Sequence, residues 1–191
     1  LHDEDGAKIV AITMVSGGVV DQKGIDPDDL KAYETKHGTV KGYKGLDNIS
    51  NEQLRALDVD VYIPAALQNA IVKDNAKDVK AKVVLELANG GVNPDADETL
   101  EKNGAFVIPD ILGNAGGVTV SYFEWVQNNY GYYWTEKEVN EKLERVMTEA
   151  FENVHAMYAK HKADKVTMRM AADMVAVNRI GEAVKVRGWV G

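Results

Sequence analysis

The segment of this sequence best suited to bind a ligand is Asn-Ala-Gly-Gly at residues 114–117. The carboxamide of Asn114 can both donate and accept hydrogen bonds, which suits a ligand that carries an amide of its own. The two adjacent glycines let another group approach the backbone closely. On a helix that begins here, Val118 and Ser121 are three positions apart and share one face. From composition alone, a helix start that is capped by asparagine and made flexible by glycine explains the segment equally well.

Two further segments with small or polar side chains follow apolar runs. Asn89 lies in an Ala-Asn-Gly sequence, shortly after the run Val83–Leu85. Because ligands in open α/β sheets bind outside the carboxyl ends of the strands, Asn89 is placed to hydrogen-bond a ribose or an amide. Ala65 and Ala66 follow the run that ends at Ile63, and their small side chains leave room for the edge of a ligand. The alternative for Asn89 is an ordinary Asn-Gly turn.

The elements that must position these residues are short strands alternating with helices. Four runs are mostly apolar throughout, at residues 8–13, 59–63, 82–85 and 105–108. Continuous apolar character is typical of parallel strands buried on both faces, and the helical segments between the runs predict crossover connections. The sequence therefore predicts an α/β fold with a mostly parallel sheet and flanking helices.

Helix starts are marked by capping residues. Three are predicted between the strands, at Asp26 before Pro27, at Ser50 three residues before Gln53, and at Asn93 before Pro94. From Asn114 onward the chain is predicted to be helical, because apolar side chains recur at three- and four-residue steps. Thr167 is predicted to cap the last helix. The short turn at residues 164–166 predicts that the last two helices pack antiparallel.

Composition excludes several function classes. The chain of 191 residues has 22 basic and 30 acidic side chains and a formal charge of -8, so we expect no nucleic-acid or membrane partner. It contains no cysteine, and its four histidines lack the spacing of metal ligands, so no metal site is expected. No apolar run approaches the roughly 18 residues that span a bilayer. The N-terminus is acidic, unlike a signal peptide, and we expect a soluble cytoplasmic protein.

A longer stretch carries a family resemblance. Residues 114–128, which continue from Asn-Ala-Gly-Gly through Val-Thr-Val-Ser-Tyr-Phe-Glu-Trp-Val-Gln-Asn, are followed by Gly-Tyr-Tyr-Trp at 131–134. Together they resemble the segment that joins cofactor and substrate sites in hexameric glutamate dehydrogenases. Supporting motifs occur in the same order along the chain, at Ser16–Gly18, His37–Val40, Asp58–Leu67, Ala88–Gly90, Pro109–Leu112 and Arg187–Trp189. The resemblance runs from Gly6 to Trp189 and covers the C-terminal, nucleotide-binding part of a longer enzyme.

This resemblance implies a Rossmann-like fold that binds NAD or NADP. The implied reaction is the reversible oxidative deamination of L-glutamate to 2-oxoglutarate and ammonia, in a homohexamer. Cofactor contacts are implied at Ser16, Ala65, Ala66, Asn89 and Asn114. Substrate contacts are implied at Val118, which shapes the pocket, and Ser121, which meets the side-chain carboxylate of glutamate. In the family, the lysine that activates water and the aspartate that shuttles protons lie in the other domain, so no catalytic residue is expected here.

Two positions depart from the family pattern. Met14 directly follows the first apolar run, where the family offers Asp or Glu to the hydroxyls of the adenine ribose, and a thioether is a poor acceptor. Ser16 and Lys23 are the polar side chains that could substitute. Gly91 stands where the family usually has proline after Ala-Asn-Gly, which loosens the loop but removes no functional group.

The beginning of the sequence predicts an incomplete nucleotide-binding domain. Residues 1–6 read as the last turn of a helix with Gly6 as its C-cap, followed by a strand. The preceding strand and turn of such a fold carry a G-x-G-x-x-G phosphate motif, and none occurs in this sequence. We therefore expect that the first strand and the glycine-rich turn are missing, and that these residues alone do not turn over glutamate. The expected domains are residues 1–130 for the dinucleotide and 131–191 for pivot and closing helices.

Two alternatives to glutamate dehydrogenase stay open. The first is a leucine, valine or phenylalanine dehydrogenase, which would use the same cofactor chemistry with an apolar substrate pocket. The second is a catalytically dead Rossmann-like interaction module, which Met14 and the missing glycine motif support. Cofactor titration separates the second alternative from the enzymes, because a dead scaffold binds neither NAD(H) nor NADP(H).

Overall fold

The computed structural model describes residues 1–188, so Trp189 of the Arg-Gly-Trp motif lies outside the described residues. These residues form two compact units. Unit 1 comprises Leu1–Asp60 and Asp78–Ala81, and unit 2 comprises Val61–Lys77 and the chain from Lys82 onward. The predicted division of the chain at residue 130, into a dinucleotide-binding domain and C-terminal helices, stays a prediction. Within the described residues, no helix combines the length and apolar character needed to cross a membrane.

Unit 1 is built on a three-stranded antiparallel sheet. Its strands, in the order β1-β2-β3, are β1 (Ala11–Met14), β2 (Gly17–Val20) and β3 (Asp47–Ile49). Its helices are α1 (His2–Asp5), α2 (Pro27–His37) and α3 (Asn51–Arg55), with a short 3-10 turn at Tyr43–Gly45. The core consists of buried side chains from β2, α2 and the loops around them: Val19, Ile25, Leu30, Val40 and Tyr43.

The prediction of a parallel strand at residues 8–13 is wrong. The strand that forms there is β1, and it pairs antiparallel with β2 in the register Ala11 with Val20 and Met14 with Gly17. Only Val15 and Ser16 connect the two strands, and a two-residue connection can close a hairpin but cannot make a parallel crossover. The apolar character of this run comes from packing in unit 1, where Ile12 and Met14 lie against the core.

Gly18 is the tightest position in this sheet. A Cβ atom there would lie 1.9 Å from the carbonyl oxygen of Ile12 and 2.5 Å from the Cα of Thr13. Both are backbone atoms of β1, so neither can move away without breaking the hairpin. The close approach of β2 to β1 therefore requires glycine at this position.

Unit 2 contains a parallel sheet with helices around it. The strands β4 (Val61–Tyr62), β5 (Val83–Leu85) and β6 (Phe106–Ile108) pair in that order, all parallel. The helices are α4 (Pro94–Lys102), α5 (Asp110–Gly113), α6 (Ala115–Tyr130), α7 (Glu136–His161) and α8 (Met168–Arg187). Short 3-10 turns lie at Ala76–Asp78 and Lys162–Asp164. The predicted α/β class, with a parallel sheet, flanking helices and helical C-terminal half, is confirmed.

The predicted helix starts are confirmed by their side-chain hydrogen bonds. Asp26 accepts from the amide of Asp29, and Ser50 and Gln53 form a reciprocal capping box. Asn93 caps α4 and Thr167 caps α8. The last two long helices, α7 and α8, pack against each other through a shared core that includes Val154, Met168 and Ala171.

Candidate functional site

Asn89 and Asn114 lie together although 25 residues separate them. The Nδ2 of Asn114 donates to the Oδ1 of Asn89 at 2.7 Å, and also lies 3.5 Å from the carbonyl oxygen of Leu87. Asn114 occupies the N-cap position of α6, yet its side chain makes no capping hydrogen bond. The helix-cap explanation of this asparagine is therefore wrong. Its carboxamide instead reaches the loop that follows β5, at the carboxyl edge of the parallel sheet.

Ala65 and Ala66 lie at the same edge of this sheet. The carbonyl oxygen of Pro64 accepts hydrogen bonds from the amides of Leu87 and Ala88, at 3.1 and 2.9 Å. This contact joins the end of β4 to the loop after β5. Ala65 and Ala66 follow directly and are exposed, as is Asn89. These small residues leave the edge open to a ligand next to the two carboxamides.

A largely buried arginine and three carboxylates lie behind the Asn89 loop and support it. Nε of Arg169 donates to Oδ2 of Asp97 at 2.9 Å, and Nη1 donates to Oδ1 of Asp110 at 3.2 Å. Nη2 of Arg169 hydrogen-bonds Glu86, whose side chain is fully buried. We call these four residues the Arg169 cluster. It joins α4, α5 and α8 to the segment that follows β5.

The Arg169 cluster also holds the backbone of the Asn89 loop. Oδ2 of Asp110 accepts from the amide of Gly90 at 2.7 Å, and Oε2 of Glu86 accepts from the amide of Val92 at 2.9 Å. Glu86, Asp97 and Arg169 were not predicted as site residues from the sequence, and Asp110 was included only within the Pro109–Leu112 motif. One signal was available, because Arg169 interrupts the apolar positions at the start of α8.

Burial outweighs the attraction of Arg169 at two carboxyl groups of the Arg169 cluster, whereas these carboxylates raise the pKa of Arg169 despite its own burial. Burial raises the pKa of Glu86 and of Asp97 above their ordinary values, although hydrogen bonds to both side chains and the charge of Arg169 act in the opposite direction. Three carboxyl groups surround one guanidinium, so the cluster carries surplus negative charge when all are ionised. Protonation of a carboxyl group relieves this surplus.

We expect the stability of the chain to reflect the raised pKa of Asp97. In the folded chain this carboxyl group keeps its proton to a higher pH than in the unfolded chain. The folded state therefore binds more protons in that window, and its stability falls as the pH rises through the folded pKa. Relative to the Asp97→Asn variant, the unfolding free energy of the native chain should fall as the pH rises above about 4, by at most ~1.4 kcal/mol per pH unit.

Urea unfolding of both proteins across this pH range measures the difference. Asp95→Asn serves as the control, because Asp95 is an exposed acid on the same helix. If the unfolding free energy of the native chain rises with pH relative to that of Asp97→Asn, the attraction of Arg169 outweighs burial at Asp97.

Ser16 lies in unit 1, in a shallow groove of about 390 Å³. The groove also contains Lys41 and Glu52, so it offers one cationic and one anionic side chain beside the Ser16 hydroxyl. A hydrogen bond from Ser50 lowers the pKa of Glu52. Met14 packs against the core of unit 1 and does not line the groove, and neither does Lys23. Lys41 is thus a polar neighbour of Ser16 that the sequence analysis missed.

Val118 and Ser121 both lie on α6 in unit 2. Val118 is 69% exposed and lines a second shallow groove with Thr119, Tyr122, Phe123 and Val146. Ser121 does not line this groove, and its hydroxyl donates to the carbonyl oxygen of Gly117 at 3.1 Å. The Ser121 hydroxyl keeps lone pairs that can still accept a hydrogen bond.

Known proteins resemble this chain over nearly its whole length. Residues 1–188 match the family model described as Glutamate/Leucine/Phenylalanine/Valine dehydrogenase. The NADP-specific glutamate dehydrogenase A1 of Halobacterium salinarum is 49% identical over 187 residues, which are 97% of this chain and 44% of that protein. The cryptic catabolic NAD-specific glutamate dehydrogenase of Bacillus subtilis is 44% identical over 190 residues, which are 100% of this chain and 43% of that protein.

A solved structure shows the same fold. The hetero-hexameric glutamate dehydrogenase of Thermus thermophilus, in its leucine-bound form, superposes with a TM-score of 0.84 and 31% identity. The match covers 94% of this chain and 42% of that chain. The chain therefore spans less than half the length of these relatives.

Proposed function

Because this chain belongs to the glutamate, leucine, phenylalanine and valine dehydrogenase family, we propose that it is the nucleotide-binding part of an NAD(P)-dependent glutamate dehydrogenase. The proposed reaction of the whole enzyme is the reversible oxidative deamination of L-glutamate to 2-oxoglutarate and ammonia. The observation that carries the proposal is the contact between Asn114 and Asn89. Asn114 stands at the N-cap of α6, but its side chain hydrogen-bonds the second carboxamide and not the helix backbone. Both relatives described above are glutamate dehydrogenases, one specific for NADP and one for NAD.

The donor and acceptor set at this edge fits a nicotinamide cofactor. Asn89 and Asn114 together provide donors and acceptors that match the carboxamide of a nicotinamide. Ala65 and Ala66 would lie along the adenosine ribose, where small side chains allow close contact. When bound, NAD(P) accepts a hydride from the α-carbon of the amino acid or returns it. The protein side chains hold the nicotinamide ring in a fixed orientation for that transfer.

A nucleotide contact is also proposed at Ser16, in the groove of unit 1. A carboxylate such as Glu52 can accept hydrogen bonds from ribose hydroxyls, whereas an amine such as Lys41 can pair with a phosphate. The groove contains both, so both NAD and NADP stay in the proposal. The formal charge of -8 supplies no general attraction for either dinucleotide, so local contacts must hold it.

Substrate contacts are proposed at Val118 and Ser121. A serine hydroxyl in contact with the substrate would favour the carboxylate side chain of glutamate over the apolar side chains of leucine, valine or phenylalanine. The alternative is that the whole enzyme acts on one of these apolar amino acids. A hexamer is proposed for the whole protein, since the Thermus relative is a hetero-hexamer. Identical subunits and a cytoplasmic location belong to the same proposal.

We expect this chain to bind NADH or NADPH, and Asn114→Ala to weaken that binding about five- to tenfold. The loss corresponds to roughly one hydrogen bond, about 1–1.4 kcal/mol. Isothermal titration of the native chain and the variant with both dinucleotides measures the effect. Asn153→Ala is the matched control, because Asn153 is exposed on α7 and donates only to the carbonyl oxygen of Glu149.

Three outcomes bear on the proposal. Binding of neither dinucleotide by the native chain would favour the interaction module over the enzyme. Equal affinities for Asn114→Ala and Asn153→Ala would remove Asn114 from the cofactor site. Turnover of glutamate by these 191 residues alone would contradict the expectation that the catalytic groups lie in the other part of the enzyme.

A further inference from the structure

We propose that Asp110 is a positioning residue that holds both carboxamides of the cofactor site in place, with Arg169 as its anchor. The inference rests on the proposed function, because it concerns the contact of Asn89 and Asn114 with nicotinamide. Asp110 touches neither asparagine side chain among the described contacts. It acts through the backbone segments that carry them.

The carboxylate of Asp110 connects the loop that bears Asn89 to the helix that leads into Asn114. Oδ2 of Asp110 accepts from the amide of Gly90, the residue directly after Asn89. Asp110 is also the first residue of α5, which ends at Gly113, directly before Asn114. A displacement of Asp110 therefore moves both asparagines. The 2.7 Å hydrogen bond between Asn114 and Asn89 depends on the relative placement of these two segments.

The orientation of this carboxylate is fixed by donors on its other oxygen. Oδ1 of Asp110 accepts from Nη1 of Arg169 at 3.2 Å and from the amide of Ile111 at 2.8 Å. Arg169 also pairs with Glu86 and Asp97, so two further carboxylates help to orient its guanidinium. A planar fork of donors orients carboxylates in this way more rigidly than an ammonium group does.

The close packing behind the site leaves α5 little freedom to compensate. A Cβ atom on Gly113 would lie 2.6 Å from the carbonyl oxygen of Glu86. The last residue of α5 thus lies directly against the backbone that leads into the Asn89 loop. If Asp110 released Gly90, the loop could shift only away from α5, which would separate Asn89 from Asn114.

Asp97 provides the matched comparison for Asp110. Both aspartates pair with Arg169, and an Asp→Asn change removes the same charge from either. Only Asp110 also accepts from the amide of Gly90. In Asp110→Asn, the single side-chain oxygen cannot accept both from Gly90 on one side and from Ile111 and Arg169 on the other. The new NH2 group would then face one of these donors. In Asp97→Asn, every hydrogen bond to the Asn89 loop stays in place.

The test compares NADH with ADP-ribose, which lacks the nicotinamide, on the native chain and both variants. We expect Asp110→Asn to weaken NADH binding about tenfold, which corresponds to about 1.4 kcal/mol. Its affinity for ADP-ribose should stay within about twofold of the native value. Asp97→Asn should leave both affinities near native, because Glu86 and Asp110 still hold Arg169 in this variant. Titrations are run well below the melting temperature of each variant, which is measured in parallel.

The outcomes separate this inference from the proposed function. If the native chain binds neither ligand, the proposed function fails and the inference fails with it. If the native chain binds both ligands equally well, the asparagines do not contact nicotinamide, and the proposed site fails together with the inference. If Asp110→Asn keeps native NADH affinity, or if the two variants lose NADH affinity equally, Asp110 does not position the asparagines and the inference alone is overturned. Hydrogen exchange at the Gly90 amide adds an independent readout, because it should quicken in Asp110→Asn and stay slow in Asp97→Asn.

Discussion

Replacing Arg169 with methionine is expected to lower the free energy of unfolding by about 3–5 kcal/mol near pH 8. The guanidinium is the cation on which three carboxylates converge, and its own side chain is only 14% exposed. Without it, Glu86 and Asp97 keep buried charges with no counterion. Removal of one partner from a buried ion pair costs far more than the pair itself contributes, because the remaining charges stay out of water.

The size of this loss should depend on pH. At about pH 5 the carboxyl groups can take up protons more easily, since burial already raises the pKa of Glu86 and Asp97, and the loss should be smaller. Urea unfolding at both pH values measures it. In the Arg169→Met background, Glu86→Gln removes one unpaired charge and should recover part of the stability.

Lys185→Met supplies the control for Arg169→Met. Lys185 lies on the same helix and pairs with Glu182 at 2.8 Å, but both side chains are about 70% exposed. Such exposed pairs contribute little, so this variant should unfold almost like the native chain. If Arg169→Met and Lys185→Met lower the free energy of unfolding by similar amounts, the stability of the Arg169 cluster does not depend on its arginine.

Gly18→Ala should destabilise unit 1 by about 3 kcal/mol, at the upper end of the cost of overpacking. The added methyl group would meet the carbonyl oxygen of Ile12 at 1.9 Å, well inside the contact distance of the two atoms. Because the obstacle is backbone, the hairpin of β1 and β2 must open for the methyl group to fit. Thermal and urea unfolding measure the loss.

Gly181→Ala makes the same chemical change at a position with room. A Cβ atom on Gly181 would meet nothing within 4 Å, and alanine is a better helix former than glycine by up to about 1 kcal/mol. This variant should therefore be as stable as the native chain or slightly more stable. If Gly18→Ala also kept native stability, the close contact between β1 and β2 would have to relax without cost.

Local signals in the sequence were sufficient for the helix starts and for the parallel sheet. Asp26, Ser50, Asn93 and Thr167 act on amides two or three residues away, so their roles can be read from neighbouring residues. The pairing of β1 was not accessible in the same way. Its apolar run resembles a buried parallel strand, and only the shortness of the Val15–Ser16 connection indicates a hairpin.

The candidate site likewise has parts that the sequence predicts and parts that only the structure shows. Asn89 and Asn114 were singled out because each stands beside glycine after a strand or before a helix, which is a local pattern. Their mutual hydrogen bond and the Arg169 cluster depend on contacts between distant segments. A single arginine among apolar positions of a helix does not reveal which carboxylates it will meet. Sequence patterns therefore located the two amides, whereas their support required the structure.

The position of Arg169 along the chain also bears on how unit 2 is made. The arginine follows Glu86 by 83 residues, and it follows Asp97 and Asp110 by 72 and 59. During synthesis the three acids leave the ribosome well before their cation, and contacts so distant in sequence form slowly. The three carboxylates of the Arg169 cluster therefore have no arginine partner until α8 has been made. The loop that bears Asn89 is consequently among the last parts of the chain to reach its final shape.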